Sequence, residues 1–171
     1  MTKMMRSLFV MMMIWTTQAI CPFDPKGVGP VITYNAQSCR KKGRMEQILG
    51  SMKYSSVVSL TGTRFKAKKD IPIEVIHIAG FFGVLAGYGD RSNSHGGVAI
   101  CFNMRFFKKE NVISYNWAIG QIQGRGLAVR IKRGCIDWLV TAQYWYPMRN
   151  GFCTMNTVAV NKWQRKVLEH C

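Results

Sequence analysis

A chain of 171 residues has room for one domain with a hydrophobic core, and an apolar content of 48% argues against wholesale disorder. Lys and Arg number 24 against 8 Asp and Glu, a formal charge of +16 that favours polyanions, nucleic acid first and acidic membrane surface second. The six cysteines (Cys21, Cys39, Cys101, Cys135, Cys153, Cys171) are widely spaced, without the close ligand pairs of a zinc site, so either buried free thiols or, in a secreted chain, disulfides are expected.

Residues 1–30 read as an extension. Lys3 and Arg6 precede an apolar run from Leu8 to Trp15, and Thr17-Gln18-Ala19 is compatible with a cleavage site. The run is too short to cross a bilayer, so no transmembrane segment is expected; a secretory signal and a loosely packed extension both fit. The Pro- and Gly-bearing "DPKGVGP" (24–30) is a linker, and the domain is expected over 31–171.

"VITYNAQS" (31–38) is β-rich and predicts a strand. "KKGRMEQILGSMK" (41–53) places Met45, Ile48, Leu49 and Met52 at i, i+3, i+4 and i+7, one face of a helix. "SSVVSLTG" (55–62) returns to a strand, completing a βαβ unit with parallel pairing. Further β-type segments follow: two apolar runs in 73–89 broken by glycines, then 96–107. "GLAVRIKR" (126–133) and "CIDWLVTAQYW" (135–145) predict an antiparallel hairpin. "TVAVNKWQRKVLEHC" (157–171) carries Val160, Trp163, Val167 and Leu168 at helical spacing.

Four of these stretches, in order, resemble one family. "TYNAQSCRKKGRMEQIL", "VVSLTGTRF", "GGVAICF" and "GRGLAVRIKRGCIDWLVTAQYWYP" are similar to the core strands and first helix of the endonuclease/exonuclease/phosphatase superfamily. The nearest flavour is the endonuclease domain of non-LTR retrotransposons. The resemblance covers about residues 31–168. It implies an α+β fold, a four-layer α/β sandwich of which this chain supplies the first mixed sheet and its flanking helices but little of the second. A sheet left so uncovered would self-associate or need a partner.

The resemblance also implies Mg²⁺-dependent phosphodiester chemistry, in which carboxylates hold the hard cation and a base activates water. Asn35 matches the strand-end Asn of the family's site, and Tyr144 the tyrosine at the scissile phosphate, with Ala142 in place of a usual Asn. Gly62 stands where the metal-binding Glu belongs. The family's later G-D-F-N and S-D-H motifs would follow residue 171. None of Asp70, Asp90, Glu110 and Asp137 falls at a metal position, and His77, His95 and His170 have no catalytic spacing to a carboxylate. No cofactor is therefore expected for this chain, and autonomous catalysis is not expected. Arg64, Arg125, Arg130 and Lys132 are candidate phosphate contacts.

Each of these residues also has a plain reading. Asn35 closes a turn, Tyr144 ends an aromatic strand, the basic residues form a solvated face, and Gly96 and Gly97 form a strand-entry turn. Three functions remain: an inactive relative of the phosphodiesterases that retains nucleic-acid binding, intracellular or nuclear if derived from a retroelement; a secreted, basic, disulfide-containing binding protein; or an active nuclease completed by another chain that carries the missing half.

Overall fold

The computed structural model describes residues 14–16, 28–68, 72–89, 96–119, 122–144 and 155–169. Two sheets form an α+β sandwich. One has five strands: β2 (Val31–Asn35), β3 (Val57–Thr61), β4 (Ile73–Ile78), β5 (Phe81–Ala86) and β6 (Val98–Asn103), in the order β2-β3-β6-β5-β4. The other has four: β1 (Ile14–Thr16), β7 (Val112–Trp117), β8 (Gly126–Arg133) and β9 (Ile136–Gln143), in the order β1-β9-β8-β7. Helix α1 (Arg44–Ser51) joins β2 to β3, and α2 (Met155–Glu169) closes the described chain.

The expected βαβ unit is present. β2 and β3 run parallel, with Val31 opposite Val57 and Asn35 opposite Thr61, while the other strand pairs among the described residues are antiparallel. Met45, Ile48 and Leu49 are buried on α1, and Met52 packs against the same cluster from beyond the helix end. The 73–89 segment is a hairpin whose two-residue loop, Ala79 and Gly80, has positive φ at both positions. That is the handedness a tight hairpin requires. The hairpin of β8 and β9 forms as predicted, Gly126 opposite Gln143 and Arg133 opposite Ile136.

Alternation of side chains divides each sheet into an inner and an outer face. Between the sheets lie Val57, Phe82, Val84, Ile100 and Phe102, against Leu127, Val129, Ile131 and Val140. Phe82 stacks on Phe102 at 5.2 Å between centroids, and Phe107 meets Phe102 edge-on at 5.8 Å. On the outer face of the five-stranded sheet, Val58, Leu60, Phe81 and Cys101 pack against Met45, Ile48 and Leu49 of α1. On the outer face of the four-stranded sheet, Trp163 and Val167 of α2 meet Ala118, Ile122 and Ala128. The layers therefore run helix, sheet, sheet, helix.

Three features differ from expectation. The hairpin of β8 and β9 belongs to a second sheet, completed by β7, which the sequence pattern does not mark as a strand, and by β1, which lies within the N-terminal extension. The five-stranded sheet is consequently covered on both faces rather than left open. On α2 the buried stripe is Trp163 and Val167, whereas Leu168 is 38% exposed; the side chain of Val160 lies outside the described residues.

Candidate functional site

Parallel pairing of β2 and β3 brings the ends of both strands to the same rim of the sandwich. β6 and β8 begin there, and β9 ends there, since Val98 faces Thr61 and Gln143 faces Gly126. The two sheets are stitched at this rim by the Gly97 N–H, which donates to the Gly124 carbonyl at 2.8 Å. The carbonyls of Gly96 and Gly97 accept from the N–H groups of Arg64 and Thr63, so their close approach serves a neighbouring strand end. Of nine described residues with positive φ, five stand here: Gln37, Gly62, Arg64, Gly97 and Gly124. The three glycines adopt it freely, whereas at Gln37 and Arg64 it is strained backbone that persists only where the surroundings impose it, as at functional sites.

The resemblance-derived residues converge at this rim. A Cβ on Gly62 would stand 2.9 Å from Asn35 Oδ1 and 3.5 Å from Tyr144 Cε2. Asn35 Oδ1 accepts from the Gln37 N–H at 3.1 Å, so Asn35 does close a turn, and its amide faces the site at the same time. Val57 lies in the inter-sheet core and Val58 in the outer one, so Ser59 and Thr61 face inward. Their hydroxyls and that of Thr63 are buried with no hydrogen-bond partner among the described residues. Burying a polar group unpaired costs about 1–3 kcal/mol, which marks the rim as a place where stability is not the only design pressure.

The four candidate phosphate contacts do not converge. Arg125 is fully buried, with its guanidinium carbon 4.9 Å from the Tyr144 ring centroid, and its carbonyl accepts the Tyr144 N–H at 2.9 Å. It positions Tyr144 and is out of reach of a ligand on the surface. Arg130 forms a two-pronged ion pair with Asp137, Nε to Oδ1 and Nη2 to Oδ2, both 2.9 Å. The hydrogen bond from Arg130 holds the Asp137 carboxyl below its ordinary range. Lys132 is exposed but six residues along β8 from the rim, about 20 Å at ~3.3 Å per residue. Only Arg64 stays at the rim, half-buried.

A different set of cations surrounds Arg64. Arg40, exposed, donates from Nε to the Arg64 carbonyl at 3.1 Å and from Nη2 to the Tyr88 hydroxyl oxygen at 2.6 Å, its guanidinium 5.8 Å from the Tyr88 ring centroid. Lys41 and Lys42 follow it and are exposed. Exposed Lys66 lies on the neighbouring segment, bridged to Tyr88. The run "RKKGR" (40–44) was visible in the sequence as a basic patch signal; what was not visible is that Arg40 folds back onto Arg64.

The resemblance implies Mg²⁺, and the donors at this rim decide whether it could be held here. They are an amide oxygen and hydroxyls, neutral groups, with the Arg125 guanidinium close to Tyr144. Magnesium needs octahedral oxygen ligands, usually with carboxylates among them. Among the described residues no three His, Cys, Asp or Glu group together to hold an ion. These residues do not fit the metal. Glu110 sits in a 3-10 turn and Asp137 in its ion pair, while Asp70, Asp90, His95 and His170 lie outside the described residues.

Cys39 and Cys101 are free and buried, and Cys135 is disulfide-bonded. No family model matches the chain, and no curated protein matches it.

Proposed function

We propose that this chain is a relative of the Mg²⁺-dependent phosphodiesterases that binds nucleic acid at the rim without cleaving it. The observation that carries the reading is the convergence of Asn35, Gly62 and Tyr144, matched to one site by sequence resemblance alone: Asn35 and Tyr144 lie 2.9 and 3.5 Å from where a Cβ on Gly62 would stand. Arg40, Lys41, Lys42, Arg64 and Lys66 supply the attraction. Phosphate-directed charge of this kind confers affinity and orientation but no base reading. Glycine at 62 provides no ligand for a metal, so the site keeps its supports and lacks an anionic centre.

The test is the salt dependence of binding to a labelled duplex. Each phosphate neutralised contributes about −0.9 to the slope of log K against log salt. Replacing Lys41 and Lys42 together by Ala is expected to make the slope shallower by about 2, while Lys132→Ala leaves it nearly unchanged. Equal effects from both would mean diffuse attraction and no rim site. Self-association is a secondary property on this reading, supported by the edge strand β7, where Ile113 and Tyr115 are exposed. Among the described residues no helix is long and apolar enough to cross a membrane.

One observation favours the second reading, a secreted binding protein: the disulfide at Cys135, since such bonds persist in oxidising compartments. With Cys39 and Cys101 free, at most two disulfides can form. Counting thiols on denatured, unreduced protein separates the readings. Six reactive thiols sink the secreted reading; two or four support it.

A further inference from the structure

The end of the sandwich opposite the polar rim carries a cleft of about 330 Å³, framed by Lys53, Gly80, Phe81, Asn103, Met104 and Arg105. Its walls are tied together by one side chain. The Asn103 amide donates to the carbonyls of Lys53 and Ser55, both at 2.9 Å, and its oxygen accepts the Arg105 N–H at 3.0 Å. The Met104 N–H then anchors the β4–β5 turn through the Gly80 carbonyl at 3.0 Å. Asn103 is itself buried, as is Phe81 on the floor. Buried polar bonds therefore fix the backbone that frames the cleft.

Its chemistry is two-sided. Lys53 and Arg105 flank Asn103 and bring positive charge, and among the described residues the ion pairs are Lys68 with Glu74 and Arg130 with Asp137, neither of which neutralises them. Met104 is 48% exposed and Tyr54 69% exposed, with the Lys53 ammonium 5.1 Å from the Tyr54 ring centroid. Apolar surface beside unneutralised cations suits a ligand that has both an apolar body and a negative end. Ligand clefts run from about 300 to 1,000 Å³, so this one takes a small molecule.

We infer that this cleft binds a small organic anion, its charged group on Arg105 and Lys53 and its planar apolar body against the exposed Met104. The site is independent of the rim and of any affinity for nucleic acid.

The probe is 2-naphthalenesulfonate, followed by fluorescence anisotropy on the full chain, with inorganic sulfate and 2-naphthol as its two halves. Saturable one-to-one binding is expected, at least tenfold tighter than for either half. Arg105→Ala and Met104→Glu, both at exposed positions, should each weaken it at least tenfold with the far-ultraviolet circular dichroism unchanged, and Lys41→Ala should leave it alone. Sulfate or 2-naphthol binding as tightly as the probe, indifference to both cleft substitutions, or an equal loss from Lys41→Ala would each overturn the assignment.

Discussion

Gly62 and Asn35 face each other so closely that a Cβ on the glycine would lie 2.9 Å from the asparagine Oδ1, and the glycine holds φ at +63°. Both facts oppose a side chain there. A non-glycine residue in the left-handed region costs roughly 1–2 kcal/mol, before Asn35 has moved. Gly62→Glu is therefore expected to lower stability by about 2 kcal/mol, read as the shift in urea midpoint, and to leave Mg²⁺-dependent cleavage unrestored. A variant as stable as the parent would show that the turn relaxes freely.

Arg40 ties two segments through a planar fork, one prong on the Arg64 carbonyl and one on Tyr88. An ammonium cannot reproduce that geometry. Arg40→Lys should keep the salt slope of nucleic-acid binding yet speed amide exchange around Thr63 to Ala67. Arg40→Ala should do both, speeding exchange and making the slope shallower by about 0.9. If Arg40→Lys exchanges like the parent, the tie does not order the rim.

Ala79 occupies the first position of the β4–β5 turn with φ at +50°. Asn tolerates this conformation and alanine does not. Ala79→Asn is expected to stabilise the protein by about 0.5–1 kcal/mol, seen as a higher urea midpoint at constant slope.

Burial pushes the Cys101 thiol up to about 12 from an ordinary 9.0, and burial raises Cys39 as well. The folded state thus holds the proton that the unfolded state releases. Stability is fully present below pH 9 and falls as pH rises from there toward 12. Urea unfolding at pH 8 and pH 10 should show the loss, and Cys101→Ala should reduce it, whatever its own cost in packing. Both thiols should also resist modification in the native protein at pH 8 and react once it is unfolded.

Local periodicity carried much of the fold. The α1 face, the parallel βαβ unit and the β8–β9 hairpin follow from patterns of 3.6 and 2 residues, whereas 73–89 read only as two apolar runs broken by glycines. β7 escaped because "VISYNW" (112–117) alternates poorly, being an edge strand with four of its six residues exposed. The second sheet escaped because sheet membership depends on which strands meet across the core, and that is a property of packing. At the site, Asn35, Gly62 and Tyr144 were legible through resemblance. Arg125, Arg130 and Lys132 looked alike as basic residues, yet burial, an ion pair and distance along a strand separate them, and none of those is written in residue type.

The most direct test of the central claim is gel electrophoresis of supercoiled plasmid incubated with the purified chain and Mg²⁺ at low salt. The account predicts retarded plasmid that runs as intact supercoil once the protein is removed. Nicked plasmid that disappears with chelator and with Tyr144→Phe, or plasmid that is not retarded at all, would contradict it.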